Sequence, residues 1–574
     1  MNTPRAGQLI VLPAGSPNPL QTEPSMPPLK RLISHSLFLP TLLVIMSYGV
    51  FVHRLGFYWD DWMNIGVSAR FGLEENTAWT LGERPFTGYY VEAVSRWLGA
   101  SPANWHLLGL VLRVAGLAVC TRVVVLTFGK EVAAVGALLL AVYAPFTFHA
   151  VAINVLATHG ATFLFWTSIW LMLEAFRHDG SLRLAAGAGG VAFAVLHSAY
   201  AEYYLGGEVF ARPLLMMFAL AKARMTTDTI EQRDWRPNRE EFARFGWPFL
   251  SAWCFAGAIY VHRFLIFKPT RSFASNDALF SGLDRPLAFA AQVSMRMIRD
   301  GYKMFFESWL PDSMVMFDST DRVGLVVGFI LTLGVALATF VVVRRTPDPK
   351  GQIRRGIVAS ILLCVLIMLP FYVAGKRLLP DVGTRHAYSV MGAVGVTSTL
   401  AWLLLAFVRP RTTRAVMVAG MVACSFMVQF QTSSRFAIDW SRQKQMWSQL
   451  SVRAPHIETG TMLLVHRHGL KHYWPARQSL EPPLNLLYDS GSSEKDLFAL
   501  PTRKKAFGRL FEPGILRKLE DGMRIDMDGK SFHWNGNVVV VWFDDVTETT
   551  YVVDGPTDVV PPDAPPEFRY WSQQ

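Results

Sequence analysis

The sequence predicts an α-helical polytopic membrane protein with a water-soluble α+β domain at its C-terminal end. Three observations support this fold class. The 574 residues are 51% hydrophobic and only 17% charged, with a mean hydropathy of +0.25, which is more apolar than a soluble protein of this size requires. The apolar residues gather in runs of about 20, the length that crosses a bilayer. Beyond about residue 432 the runs stop and strand-like patterns begin.

The apolar runs divide the chain into a tail, a membrane domain and an outer domain. Residues 1–31 are rich in proline and predict a disordered cytoplasmic tail. About eleven spans are expected within 32–431, at 32–52, 104–127, 131–151, 157–176, 184–203, 205–221, 247–267, 323–343, 356–375, 386–408 and 414–431. In the domain 432–574, strands are expected at 461–467, 537–543 and 549–553, and Asp528–Gly529 suits a hairpin turn.

Arginine and lysine residues determine the predicted orientation. They concentrate in four loops, at 177–183, 222–244, 344–355 and 409–414. Such loops face the cytoplasm, so the other set faces outward: 53–103, 268–322, 376–385 and the C-terminal domain. We therefore expect a multi-pass protein of the cytoplasmic (inner) membrane, with the N-terminus inside and the C-terminal domain outside.

The remaining composition excludes several classes of function. The net charge of +11 arises from the short basic loops, so it does not indicate a nucleic-acid partner. The four cysteines lie within apolar runs and match no metal-binding spacing. The sequence contains no GxxxxGK[ST], HExxH, CxxC or GxSxG motif.

Two adjacent carboxylates follow the first span, in the segment FYWDDWMNIG. Asp60 and Asp61 are framed by Tyr58, Trp59 and Trp62. One carboxylate raises the pKa of its neighbour, so the pair can act as a general base near neutral pH, or it can hold a divalent cation such as Mg²⁺ or Mn²⁺. The alternative is a pair of solvated acids at a helix end, set in an interfacial belt of aromatic residues.

Four basic or imidazole side chains lie in the predicted outward loop GKRLLPDVGTRHAY. They are Lys376, Arg377, Arg385 and His386. Outward loops are normally poor in such residues, and the N-terminus of the following span adds partial positive charge. The loop is therefore a candidate site for the phosphate of a donor molecule, and anchoring to lipid headgroups is the alternative.

Other charged residues near the predicted membrane edge are candidates for lining the same cavity. Glu83 and Arg84 lie in the first outward loop, and Glu202 and Glu208 flank the turn between the fifth and sixth spans. An ion pair between Glu208 and Arg212, four residues apart on a helix, is the structural alternative.

The stretch 286–309 is amphipathic and basic. Two arrangements are open for it, a helix on the membrane surface or a helix packed on the outer domain.

Two of these segments resemble a known superfamily. The segments WDDW at 59–62 and GERPFTGYY at 82–90, together with the many-span layout and the outer domain, are similar to the GT-C integral-membrane glycosyltransferases. The resemblance implies inverting transfer of a hexose or pentose from a polyprenyl-phosphate donor to a glycan, lipid or protein acceptor, as in polysaccharide biosynthesis of the cell envelope. It also implies that Asp60 or Asp61 activates the acceptor hydroxyl, directly or through a metal ion.

Two other classes of function compete with the transferase. A transporter or flippase for a lipid-linked or soluble substrate typically has inverted repeats and charges near the middle of the membrane, and the sequence shows no such repeat. A scaffold or receptor needs no acids and bases converging at one surface.

Overall fold

A computed structural model describes most of the predicted membrane domain and part of the C-terminal domain. The described residues are 37–59, 61–81, 86–143, 146, 151–178, 180–218, 239–267, 284–309, 321–349, 353–374, 389–467, 477–488, 497–501, 537–544 and 547–553. Several features of the sequence analysis lie outside these ranges: Asp60, Glu83, Arg84, Lys376, Arg377, Arg385, His386, the tail 1–31 and the Asp528–Gly529 turn.

The first apolar segment and the loop after it form four helices. Helix α1 (Phe38–Ser47) ends in a 3₁₀ turn, Gly49–Phe51. The loop then contains α2 (Asp61–Phe71), α3 (Leu73–Leu81) and α4 (Thr87–Leu98). The predicted first loop is thus largely helical and packs on the bundle, which fixes the position of its side chains.

Within the described residues, the membrane domain continues with ten helices of at least 12 residues. In chain order they are α5 (Pro102–Thr127), α6 (Lys130–Ala141), α7 (Ala152–Ala175), α8 (Gly180–Tyr200), α9 (Arg239–Val261), α10 (Pro286–Phe305), α11 (Arg322–Arg345), α12 (Ile353–Val373), α13 (Ala393–Phe407) and α14 (Arg411–Arg453).

Seven helices of the described chain are long and apolar enough to cross a membrane, namely α5, α7, α8, α11, α12, α13 and α14. Two shorter apolar helices lie at Phe38–Phe51 and Gly246–Val261. The fold class predicted from the sequence is confirmed, whereas the predicted count of eleven spans is not established by these helices.

Burial distinguishes central from peripheral helices. The apolar window of α13 is 83% buried, whereas that of α11 is only 22% buried. Helix α11 exposes Val323, Ile330 and Leu337 at 75%, 62% and 67%. An apolar face that no protein covers is the surface a membrane helix turns toward lipid. Helix α13 therefore lies inside the bundle, and α11 lies at its lipid-facing edge.

The chain breaks where the fifth and sixth spans were expected to meet. Helix α8 ends at Tyr200, Ala201 is extended, and a π-helical turn follows at Gly207–Ala211. A Cβ atom on Gly206 would overlap the carbonyl oxygen of Leu366 in α12. Glycine is therefore required at this position, because two backbones are in direct contact.

The C-terminal domain is built on the end of α14. This helix has 43 residues and so a length of about 65 Å, more than a bilayer core requires. Its last turns pack Met446 and Leu450 against a four-stranded sheet. The predicted boundary near 432 falls inside this helix, so the last span and the C-terminal domain share one continuous element.

The sheet has the strand order β2-β1-β3-β4. Its strands are β1 (Met462–Arg467), β2 (Phe498–Pro501), β3 (Val538–Asp544) and β4 (Thr549–Val553), and α15 (Arg477–Leu487) lies between β1 and β2 in the chain. Strand β1 pairs in parallel with β2 and β3, and β4 pairs antiparallel to β3. The three predicted strands are confirmed, whereas β2 and α15 were not predicted from the sequence.

Candidate active site

Asp61, the first residue of α2, is held against the beginning of the membrane span α7. Its side chain is fully buried. The backbone N–H of Ala152 donates to Oδ2 at 2.8 Å and that of Ile153 donates to Oδ1 at 2.8 Å, while the N–H of Tyr58 donates to Oδ2 at 3.2 Å. Ala152 and Ile153 begin α7, and the first N–H groups of a helix have no partner within the helix. Asp61 therefore caps α7 from a distant part of the chain, and its charge lies at the positive end of the helix dipole.

The backbone beside this cap adopts an unusual conformation. Trp59 has φ of 54°, in the left-handed region, although its ring is buried. A non-glycine residue there costs about 1–3 kcal/mol and persists only where neighbouring contacts enforce it. Here the N–H of Asp61 donates to the carbonyl of Tyr58, which closes a tight turn. Trp59 and Asp61 are thus each held in a defined position by contacts with the rest of the protein.

Tyr58 ties the same turn to α14. Its hydroxyl donates to the carbonyl of Phe436, and the two rings meet edge to face at 4.9 Å. Burial raises the pKa of Tyr58 well above its ordinary value, so this hydroxyl keeps its proton and acts as a donor. One turn further along α14, Trp440 packs so closely on Gly56 that a Cβ atom there would overlap the indole. The acidic segment is consequently held by both α7 and α14.

A cavity lies among α1, α5, α6, α7 and the beginning of α13. Its wall is mainly apolar and contains two groups that can be cationic, Arg113 and His159. The Arg113 guanidinium stacks over the Phe146 ring at 4.6 Å, and the His159 ring lies 5.9 Å from the same ring. Nε2 of His159 makes no hydrogen bond within the described part of the chain, although the side chain is buried. His159 lies two turns along α7 from the N–H groups that bind Asp61, so the cap and the cavity share one helix.

Arg113 is held in place by groups from two other helices. Its Nη2 donates to the carbonyl of Ala141 at 2.9 Å and to Oε1 of Gln429 at 2.9 Å. Gln429 in turn donates to the carbonyl of Tyr143 at 3.0 Å. An arginine inside a span requires buried partners of this kind. Gln429 and Phe146 were not predicted from the sequence, because their contacts with Arg113 join distant parts of the chain.

Glu208 lies in a buried ion-pair cluster. Both carboxylate oxygens accept bonds of 2.6 Å from Arg212, and Nδ1 of His197 lies 3.3 Å away. Arg212 also donates to Oγ of Ser168 at 2.9 Å. The side chains of Glu208, Arg212 and His197 are at most 1% exposed. Compensated charges of this kind join three segments of the bundle, which corresponds to the structural alternative for Glu208.

Glu202 pairs with Arg263 beside the first loop. Arg263 lies in a π-helical turn after α9, and its neighbour His262 packs against Phe86 at 5.8 Å. Oγ1 of Thr87 donates to the carbonyl of Tyr200 at 2.8 Å. The chain that follows the GERP segment therefore contacts the region that contains Glu202.

The basic loop containing Lys376, Arg377, Arg385 and His386 lies outside the described residues, but the residues after it do not. Val390, Ala393 and Val394 line the cavity that contains Arg113 and His159. Within the described part of the chain, no group of three acidic, histidine or cysteine side chains is arranged to hold a metal ion.

Comparisons with known proteins give structural similarities only. No protein-family model and no curated protein sequence matches the chain. The chain is similar to ArnT from Cupriavidus metallidurans bound to undecaprenyl phosphate, with 12% identity and a TM-score of 0.38 over 89% of this chain and 93% of that one. The apo state of ArnT gives 12% identity and a TM-score of 0.34 with the same coverage. The archaeal oligosaccharyltransferase AglB from Archaeoglobus fulgidus, in complex with an inhibitory peptide and a dolichol-phosphate, gives 12% identity and a TM-score of 0.38 over 93% of this chain and 75% of that one.

Proposed function

We propose that this chain is an integral-membrane glycosyltransferase of the GT-C type. It transfers a hexose or pentose from a polyprenyl-phosphate donor to a glycan, lipid or protein acceptor outside the cytoplasmic membrane. One observation carries the proposal: Asp61 of the acidic pair caps α7, the span that contributes His159 to the cavity. Undecaprenyl phosphate and dolichol-phosphate, bound in two of the similar structures, are carriers of this chemical class.

We assign different roles to the two carboxylates. Asp61 accepts three backbone N–H bonds and is fully buried, so its oxygens face the backbone rather than an acceptor hydroxyl. Asp61 is therefore a positioning residue. Asp60, its neighbour in the chain, is the general base that takes the proton from the acceptor hydroxyl as that oxygen attacks the anomeric carbon.

The leaving group determines what the rest of the site supplies. As the glycosidic bond breaks, negative charge remains on the polyprenyl phosphate, and cationic donors stabilise it. We assign this role to the loop containing Lys376, Arg377, Arg385 and His386, because the chain after the loop lines the cavity. His159, with a buried nitrogen available for a hydrogen bond, contributes from α7.

A divalent cation is not part of the proposed mechanism. The hydrogen bonds to both Asp61 oxygens come from backbone groups that face the carboxylate directly, so Asp61 is suited to a cap rather than to a Mg²⁺ or Mn²⁺ site. Asp60 acts on the acceptor without a metal in this scheme.

Sugar transfer measured in membranes tests the proposal. Membranes containing wild-type protein, Asp60→Asn, or the control Asp284→Asn receive labelled monosaccharides linked to undecaprenyl phosphate, one hexose or pentose at a time. We expect the wild type and the control, which changes an exposed acid before α10, to consume the same donor. Because Asp60→Asn removes the general base, we expect this variant to transfer sugar about 10²–10⁴-fold more slowly than the wild type.

Two results would contradict the proposal. If no donor is consumed by well-expressed wild-type protein, the chain is not a transferase of this class, and transport of a lipid-linked substrate becomes the leading hypothesis. If Asp60→Asn transfers sugar at the wild-type rate, Asp60 is not the base.

A further inference from the structure

An apolar stripe runs along the exposed face of α10. Leu287, Met295, Ile298, Tyr302 and Phe306 are 86%, 67%, 67%, 59% and 62% exposed. Their spacings of eight, three, four and four residues place them on one side of the helix. Single exposed apolar residues are normal, but a continuous apolar stripe usually marks a surface that something covers.

The opposite side of α10 packs against the membrane domain. Val293, Asp300 and Met304 are buried there, at positions that share one helix face. Cε of Met304 lies against Gly392, just before α13. In the described part of the chain, the main neighbours of α10 are α12, α13 and the turn 307–309. The stripe therefore points away from the bundle.

The basic residues of α10 lie on only one of its two flanks. At 100° per residue, Arg296, Arg299 and Lys303 fall together between the packed face and the stripe. The other flank carries the small residues Ser294 and Gly301. Arg299 is half exposed and pairs with Asp300 at 3.0 Å. One face of the helix therefore packs on protein, the opposite face is apolar and exposed, and one flank between them is basic.

We propose that α10 lies along the boundary between the headgroups and the acyl chains of the bilayer, as a docking surface for anionic phospholipid. The stripe inserts among the acyl chains, and the basic flank contacts the headgroup phosphates. Charge complementarity supports anionic phospholipid as the occupant, because the apolar stripe is bordered by three basic residues. The helix α12, on which α10 packs, also exposes the apolar side chains Val358 and Ile361, so α10 lies against a helix that itself has a lipid-facing surface. This inference is independent of the enzymatic activity proposed above.

Nitroxide labels on the intact protein test the inference. Cysteines are introduced at Ile298 or Tyr302 in a Cys254→Ser background, and the protein is reconstituted in vesicles of phosphatidylethanolamine and phosphatidylglycerol. Labels on native Cys254, exposed on α9, and on Val452→Cys, 77% exposed near the end of α14, serve as lipid and water references. Collisions with oxygen and with a water-soluble nickel chelate are compared by spin relaxation.

We expect the labels at Ile298 and Tyr302 to behave like the label at Cys254, with more collisions with oxygen than with the chelate. A pattern like that at Val452 would overturn the inference, because the stripe would then face water. Protection from both reagents would also overturn it, because protein would then cover the stripe, as in a dimer. Both substitutions lie on the exposed face, so the packing of α10 is preserved.

The basic flank has a separate test. Replacing Arg296, Arg299 and Lys303 together by glutamine should shift the label at Ile298 toward the chelate in vesicles that contain phosphatidylglycerol. In vesicles of phosphatidylcholine alone, the same replacement should have a smaller effect. Equal behaviour of both proteins in both kinds of vesicle would overturn the assignment to anionic headgroups.

Discussion

Asp61→Asn separates positioning from catalysis in the acidic pair. The replacement keeps the size of the side chain but removes its charge. The amide retains one acceptor oxygen and turns its NH₂ group toward an N–H that formerly had a partner. If the NH₂ group replaces Oδ1, the bond from the N–H of Ile153 is lost. If it replaces Oδ2, the bonds from the N–H groups of Tyr58 and Ala152 are lost.

The expected cost follows from these bonds. Hydrogen bonds to a charged group contribute about 1.5–3 kcal/mol each, and removal of a helix cap costs about 1 kcal/mol in typical cases. Loss of one to two charge-assisted bonds at the beginning of α7 therefore destabilises the protein by about 2–4 kcal/mol. The apparent melting temperature of purified protein in detergent should fall by several degrees.

The assay compares three proteins by size-exclusion thermal shift and by sugar transfer. Asp61→Asn should melt early and lose transfer as a consequence. Asp60→Asn should melt with the wild type and still lose transfer. If Asp61→Asn melts like the wild type and yet has no activity, the positioning argument is refuted, because the carboxylate would then act on the substrate and not on α7.

Three further outcomes are expected from the described contacts. Arg212→Met leaves Glu208 as a buried charge without its bidentate partner, which should destabilise the protein by about 3–5 kcal/mol in a thermal-shift assay. Gly206→Ala places a methyl group against the backbone of α12 and should cost about 1–3 kcal/mol in the same assay. Asp348→Asn tests a pH effect: Arg414 holds the pKa of Asp348 below its ordinary value of 3.8, so the stabilisation is present at neutral pH and is lost as pH falls below that value. The wild type should therefore melt at a higher temperature than this variant at pH 7, and the difference should disappear at acid pH.

Matched variants control these outcomes. Gly257→Ala adds the same methyl group to α9, where nothing lies within 4 Å, and should cause no loss. A double variant, Glu208→Leu with Arg212→Met, removes both charges and should recover most of the loss caused by Arg212→Met alone. If Gly257→Ala and Gly206→Ala melt alike, the tight contact with α12 is not a determinant of stability.

The local features of the fold were predictable because they depend on composition and period. The apolar length of Arg322–Arg345 or Ile353–Val373 predicts a span wherever it occurs in the chain. The strand Met462–Arg467 is a short run of β-branched and aliphatic residues, which predicts a strand from the local sequence alone. The helix Arg477–Leu487 could not be predicted in this way, because Pro482 and Pro483 lie inside it and disfavour a helix. Burial of Leu480 and Leu484 in the domain core outweighs that preference.

The site was only partly predictable, because its geometry depends on contacts between distant residues. The sequence singles out Asp61, but not that its partners are backbone groups 91 and 92 residues further along. Arg113 reaches Gln429 across 316 residues, and no local pattern encodes that distance. The fall in hydropathy near 432 marks the end of the apolar segment, whereas the helix continues because helix formation does not require apolar residues.

The continuous helix α14 imposes a mechanical constraint. It begins in the bundle, contacts the 56–58 turn through Phe436 and Trp440, and ends in the core of the sheet domain. An unbroken helix of this length is stiff and curves only gently in the absence of a kink. If the sheet domain moves, for example when a large molecule binds to it, α14 must either bend or shift Phe436 and Trp440, the two aromatic side chains that contact the 56–58 turn.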